Sequence, residues 1–197
     1  MPEILHDQGS DTKTQSWIDA QLCLSDRLIQ WIDEAGRTRG QEPSQLKLLS
    51  VNAGLGMVEI PVADIGYEVT LHHSEESGLA AACKTATSRG LKLKTAYGDL
   101  ASLPPRSFDL VFLGSCDQPP VSGESLDAVI QSCRQLLVPG GNLVILTSDP
   151  RKQIAGSVRN AGLTLERTEF WRADYSERLE SNEGATITVV HARAIDA

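Results

Sequence analysis

Apolar residues in this chain recur at two spacings, and the spacing switches back and forth along its length. Near the start, Trp17, Ile18, Leu24, Leu28, Trp31 and Ile32 fall in a helical stripe that runs through Ala35. Ser16 can cap this helix, with Asp19 three residues on as its partner. Residues 36–44 form a polar connector, and the alternation begins after it. Lys47–Val51 reads as a strand, and Val58–Ile65 as a short helix containing Pro61 and stopped by Gly66. Glu68–His72 reads as a strand. Ser74 is placed to cap the next helix, with Glu75 and Glu76 in its positive first turn. Leu79, Ala82, Cys83 and Ala86 give that helix one apolar face, and Gly90 ends it.

The second half continues the pattern. Leu91–Tyr97 reads as a strand. Phe108–Leu113 is almost wholly apolar, as a strand buried on both faces should be. Leu126, Val129, Ile130, Cys133 and Leu137 mark a helix, and Pro139-Gly-Gly141 a tight turn into a strand over Asn142–Thr147. Asp149-Pro150 opens a helix with inner residues Ile154, Val158 and Ala161, stopped by Gly162. Leu163–Trp171 and Ala185–Ala192 close the chain as strands joined by the polar stretch 172–184. Strands alternating with helices predict an α/β, doubly wound and mostly parallel sheet, and the closing pair predicts a hairpin-like edge. The expected organisation is a polar segment and helix over residues 1–45, serving as a lid or packing element, and one domain over 46–197.

Composition narrows the function classes. The chain has 197 residues, 41% of them hydrophobic, which suits one ordinary globular core. A net charge of -8 argues against a general nucleic-acid or anionic-membrane binder. Lys84, Arg89, Lys92 and Lys94 read as a solvated helix end and strand start. Cys23, Cys83, Cys116 and Cys133 form no CxxC pair and no zinc spacing. Cys83 and Cys133 read as core residues, whereas Cys116 lies in a loop that borders a candidate site. No signal peptide is visible and no apolar run approaches the roughly 20 residues of a membrane span. A reducing cytoplasm is the expected setting. His72 and His73 are adjacent on a strand, so they point to opposite faces and do not share a metal ion; no metal site is expected.

The candidate chemistry starts at Leu49-Ser-Val-Asn-Ala-Gly-Leu-Gly56, an apolar strand emptying into a glycine turn. Such turns bring backbone N–H groups up to a ligand. Further landmarks follow in order: Val69-Thr-Leu-His-His-Ser-Glu-Glu76, Gly98-Asp-Leu-Ala-Ser-Leu-Pro104 with Ser107-Phe-Asp-Leu-Val-Phe112, and Arg134-Gln-Leu-Leu-Val-Pro-Gly-Gly-Asn-Leu-Val-Ile145. Together, from about Leu46 to Ala192, they resemble the class I S-adenosylmethionine (SAM)-dependent methyltransferases. The resemblance implies a Rossmann-like sheet of seven strands with an antiparallel last strand, and SAM as cofactor.

The resemblance also implies roles for single residues. Gly54 and Gly56 stand where backbone approaches the methionine part of the cofactor, where a side chain would obstruct it. Asn52 stands where the family has another glycine. The family's first-strand carboxylate, which helps hold the cofactor's amino end, is replaced by Ser50, which brings a hydroxyl and no charge. The second-strand carboxylate, which accepts from both ribose hydroxyls, is replaced by His73. Loss of a charge-assisted bond there costs about 1.5–3 kcal/mol, or roughly tenfold to a hundredfold in affinity. Asp99 matches the carboxylate that receives the adenine amine, beside the Leu100 backbone; read from the residues alone, Asp99 also suits a cap of the turn after its strand. Cys116 and Asp117, in the loop 114–120, are nearest to where an acceptor would lie. Asp117 is the candidate general base, with a solvated loop acid as its plainer reading. Asp117-Gln-Pro-Pro120 faintly resembles the Asp/Asn-Pro-Pro-Tyr signature of enzymes methylating planar amino groups, but has an extra Gln and lacks the aromatic.

Two functions follow as expectations. One is a methyltransferase moving a methyl group to a small-molecule acceptor by in-line displacement, with the protein holding donor and acceptor in attack geometry. The other is a methyltransferase-like domain that has lost SAM and serves as a binding, scaffold or regulatory module with a protein partner. In that case, the Trp17 and Trp31 helix offers a contact surface. A nucleotide-dependent oxidoreductase fits less well, because its third turn glycine falls at Glu59 and its second-strand acid at His73.

Overall fold

The computed structural model describes residues 26–53, 55–114, 125–147, 154–173 and 185–195. The elements are α1 (26–37), β1 (Lys47–Val51), α2 (Glu59–Asp64), β2 (Glu68–His73), α3 (Ala80–Ser88), β3 (Lys94–Tyr97), β4 (Phe108–Leu113), α4 (Leu126–Leu136), β5 (Leu137–Thr147), α5 (Ile154–Asn160), β6 (Leu163–Ala173) and β7 (Ala185–Ala194). They form a seven-stranded sheet in the order β3-β2-β1-β4-β5-β7-β6. Pairing is parallel from β3 through β5, and β7 runs antiparallel to both β5 and β6. The doubly wound sheet with its antiparallel last strand is the architecture expected from the sequence.

The alternation of side chains along each strand makes two cores. Leu48, Val69, Leu71, Leu110, Phe112, Val144 and Val189 face α1, α2 and α3. Leu49, Val51, Val111, Leu113, Leu143, Ile145 and Val190 face α4 and α5. Both layers are close to fully excluded from water, as a parallel sheet covered on both sides requires.

Helix α1 is a packing element within the described residues. Leu28, Trp31, Ile32 and Ala35 join the first core. Trp31 is buried, meeting Trp171 and His191 edge-on at centroid distances of 5.8 Å, so the contact surface expected at Trp31 is used internally. The charged ends of Arg27 and Arg167 lie over the Trp171 and Trp31 rings at 4.4 and 5.2 Å. Trp17 and Ser16 lie outside the described residues.

Several boundaries move for identifiable reasons. Ser74 does not cap a helix: a 3-10 turn over Glu76–Leu79 precedes α3, Glu75 occupies its N-cap, and the Ser74 hydroxyl is buried without a partner among the described residues. The Pro139-Gly140-Gly141 segment lies inside β5. Its register with β4 jumps from Phe108↔Leu137 to Leu110↔Asn142, and Gly140 takes φ 68°. The segment bulges out of an otherwise continuous strand. Strand β6 has a second irregularity between Leu165 and Arg167. Leu163 and Leu165 pack in the second core, while Trp171 packs in the first, so the extra residue turns the strand over.

At the amino end of the sheet the polar groups are matched. Asn142, fully buried, donates from Nδ2 to the Ala35 carbonyl at 2.7 Å and accepts at Oδ1 from His191 Nε2 at 2.9 Å. The Arg39 guanidinium meets Asp109 at 3.2 Å and the Pro139 carbonyl at 2.9 Å, and Asp109 also accepts from the Lys47 backbone N–H at 3.0 Å. These bonds tie the end of α1 across β1, β4 and β5. Lys94 of the basic stretch pairs with Glu68 at 2.8 Å on the surface.

Candidate functional site

The sheet order reverses between β1 and β4, because β2 and β3 lie on one side of β1 and β4 and β5 on the other. The crevice beyond the carboxyl ends of the strands at such a switch point is where open α/β sheets take ligands. The turn leaving β1 opens there.

Asn52 holds that turn in a left-handed conformation, with φ 55°. Asn is among the few non-glycine residues that take this region readily. The replacement of glycine at position 52 therefore keeps the backbone geometry glycine would give. Gly56 has φ 76°, and a Cβ there would come within 2.9 Å of the Ala82 Cβ and 3.0 Å of Ile60. The glycine at position 56 lets α2 and α3 close on the turn, a packing reason distinct from the ligand-clearance reason the resemblance implies. Gly54 lies outside the described residues.

Ser50 is fully buried on β1, on the face shared with Leu48 and Phe112. Its hydroxyl donates to Glu59 Oε1 at 2.6 Å, while Glu59 Oε2 accepts from the Val58 backbone N–H at 3.3 Å. Glu59 opens α2 and is 6% exposed. The chain thus places a carboxylate against the strand position that lacks one. Sequence reasoning missed this residue. The available signal was a Glu at an inward-facing position of a short helix, next to a buried hydroxyl.

His73 ends β2 and is half-buried. Its Nδ1 lies 3.0 Å from both the backbone N and the backbone O of Glu75. In the tautomer that accepts from the Glu75 N–H, Nε2 carries the proton and is a donor. A Cβ on Gly78 would come within 2.4–2.5 Å of the imidazole, so the ring rests directly on that glycine. In the other tautomer Nδ1–H donates to the Glu75 carbonyl and Nε2 accepts, so the ring is positioned and its tautomer sets whether Nε2 donates or accepts.

His72 points to the other face. It is 3% exposed, and its Nε2–H donates to the Gly98 carbonyl at 2.8 Å. Its Nδ1 is buried with no partner among the described residues, as is the Ser74 hydroxyl on the same strand end. Burial pushes the His72 pKa below its ordinary value, against the opposing pull of the Gly98 carbonyl. No group of His, Cys, Asp and Glu suited to a metal ion occurs among the described residues.

Asp99 is exposed and accepts from the Ala101 N–H at 2.8 Å, capping the 3-10 turn Leu100–Ser102. One of its oxygens thus has a structural task. The Leu100 side chain is buried in the second core. Cys116 and Asp117 lie outside the described residues. The cavity of about 420 Å³ between Pro105, Arg106, Arg134 and Gly162 opens elsewhere, where α4 ends and β4 begins.

The structure thus brings Ser50, Asn52, Gly56, His73 and Asp99 to the carboxyl ends of β1, β2 and β3, and adds Glu59, His72 and Ser74 to them. The groups on the Ser50 face suit the implied cofactor chemically: a carboxylate for an ammonium and an imidazole for a hydroxyl.

No protein-family model matches the chain, and no curated protein matches it by sequence. Solved structures do. The magnesium protoporphyrin IX methyltransferase of Synechocystis PCC 6803, with bound SAM, is 18% identical and superposes with TM-score 0.68 over 98% of this chain and 86% of that one. The (4+2)-cyclase SpnF is 20% identical, with TM-score 0.67 over 87% and 81% of the two chains. A SAM-dependent methyltransferase from Methanosarcina mazei is 15% identical, with TM-score 0.63 over 80% of this chain and 95% of its own. The chain has the class I SAM-dependent methyltransferase fold.

Proposed function

We propose that this protein binds SAM at the carboxyl ends of β1 and β2 and transfers its methyl group to a small-molecule acceptor. The observation that carries this reading is the left-handed turn at the switch point, with the buried Ser50–Glu59 pair flanking it in sequence. The fold's likeness to SAM-dependent methyltransferases supports it. When bound, SAM supplies a methyl group on a sulfonium, a reaction centre that needs alignment more than acid–base help. The turn at Asn52 and Gly56 supports the amino-acid tail, His73 Nε2 donates to a ribose hydroxyl, and the other oxygen of Asp99 accepts from the adenine amine. Asp117 and Cys116 are proposed to face the acceptor, with Asp117 taking its proton. A reducing cytoplasm suits this reading, since Cys83 and Cys133 carry unpaired thiols. Among the described residues no helix is long and apolar enough to cross a membrane.

A second reading is a domain of this fold that binds without methylating and works through a protein partner. The capping duty of Asp99 and the Glu75 contact of His73 favour it, because each engages an atom that the family carry-over assigns to a ligand. Calorimetric titration separates the two. Binding of SAM and of its demethylated product, S-adenosylhomocysteine, at micromolar ligand is the expected result. Absence of heat and of a thermal shift at millimolar ligand would sink the methyltransferase reading.

A further inference from the structure

Glu59 is a carboxylate withdrawn from water without a counter-charge. Its partners are the Ser50 hydroxyl and the Val58 N–H, both neutral donors, and no Lys, Arg or His side chain contacts it among the described residues. Elsewhere the chain pairs its half-buried carboxylates: Asp109 with Arg39, and Glu169 with Arg27 and Arg167. A buried carboxylate is stable when a cation completes it. The neutral donors fix its orientation and occupy part of its acceptor capacity, leaving lone pairs for a further donor.

We infer that Glu59 is the acceptor for the ammonium group of the bound ligand's amino-acid tail, doing from α2 what Ser50 cannot do from β1. The two residues are 9 apart in sequence, and the left-handed Asn52 and Gly56 lie between them. A ligand resting on that turn lies between the strand end and the start of α2. The Ser50 hydroxyl is then a positioning group, holding one carboxylate oxygen while the Val58 N–H holds the other. The Ser74 hydroxyl, which follows β2 and is buried without a partner among the described residues, is a second unmatched polar atom at the carboxyl ends of the strands. The inference rests on the SAM reading and specifies which residue recognises the charged end of the ligand.

The test compares ligands that differ only at that end. The probes are S-adenosylhomocysteine, its deaminated analogue and methylthioadenosine, which lacks the amino-acid tail, each titrated calorimetrically into the full chain. The wild type should bind the deaminated analogue roughly tenfold to a hundredfold more weakly than S-adenosylhomocysteine, the loss expected for one charge-assisted bond. Glu59→Gln should weaken S-adenosylhomocysteine by a similar factor, leave methylthioadenosine unchanged and abolish discrimination against the deaminated analogue. Equal affinity of the wild type for the amine and its deaminated analogue overturns the inference without any variant. A parallel loss of all ligands in Glu59→Gln, or no loss, also overturns it while leaving the SAM reading intact. A wild type that binds none of the probes removes the SAM reading and this inference with it.

Discussion

Asn142 at the amino end of the sheet and Glu59 at the carboxyl end are both polar, buried and enclosed by apolar neighbours, yet their surroundings differ. Asn142 is bonded at both ends of its amide, to Ala35 and to His191, within a set of contacts that includes Arg39, Asp109 and Lys47. Among the described residues Glu59 has only neutral donors, and the end of β2 carries the Ser74 hydroxyl and, on the opposite face, His72 Nδ1, both without partners. An unmatched buried group costs stability that a native chain recovers only if something else binds. The amino end is thus finished by the chain itself, whereas polar atoms at the carboxyl end are left without partners among the described residues.

Perturbing each end tests this contrast. A large effect is expected from Asn142→Leu, which strands His191 Nε2 and takes one of two donors from the Ala35 carbonyl, leaving it the Thr38 hydroxyl. The cost is about 1–3 kcal/mol for the stranded His191 nitrogen and about 0.5–1.5 kcal/mol for the lost bond to Ala35, read as a fall in urea-unfolding stability. A loss well under about 1 kcal/mol would break the claim that this end is tightly matched. Next comes Gly56→Ala, which adds about 1–2 kcal/mol of left-handed backbone strain and about 1–3 kcal/mol of overpacking against Ala82 and Ile60. Asn52→Gly in the same turn should change stability by no more than about 0.5 kcal/mol, since both residues accept the observed backbone. If the two substitutions cost the same, the packing account of Gly56 fails.

The smallest effect concerns pH. Burial lowers the pKa of His191, opposed by Glu166 and assisted by Arg167 and Arg193. A histidine whose folded pKa lies below its unfolded value contributes stability above the unfolded pKa and loses it as pH falls. Stability should therefore decline as pH drops below about 6.5, the ordinary histidine value. His191→Gln should flatten part of that decline in thermal unfolding followed across pH 7 to 5. The remaining slope is expected from His72, whose pKa is depressed by burial as well. An unchanged slope in the variant would remove His191 from this account.

Most of the fold was legible because it depends on periodicity. Lys47–Val51 and Phe108–Leu113 are strands with the bounds their apolar runs predict, and Leu126–Leu136 is the helix its stripe predicts, capped by Ser125. Periodicity does not register an inserted residue, so the β5 bulge at Pro139–Gly141 read as a turn and the β6 irregularity was invisible. The cap expected at Ser74 failed because the chain first makes a 3-10 turn, which propensity does not distinguish from the start of an α-helix. At the site, residues on the strand and turn could be located by order alone, as Ser50, Asn52 and His73 were. Glu59 could not, because its meaning lies in a contact across the turn, and a glutamate opening a helix reads as ordinary capping chemistry. The family comparison even hid it: the missing charge was sought at position 50, and position 59 was weighed only as a missing glycine.

The irregularity in β6 has a mechanical consequence. One strand contributes Leu163 and Leu165 to the layer beneath α5 and Trp171 to the layer beneath α1, because its two halves are read in opposite frames. An edge strand that kept one frame would belong to a single layer, and that layer could open without the other. Here the β6–β7 hairpin stitches both layers at their shared border. Pulling the hairpin away exposes both cores at once, so the two sides of the sheet melt together there as one cooperative unit.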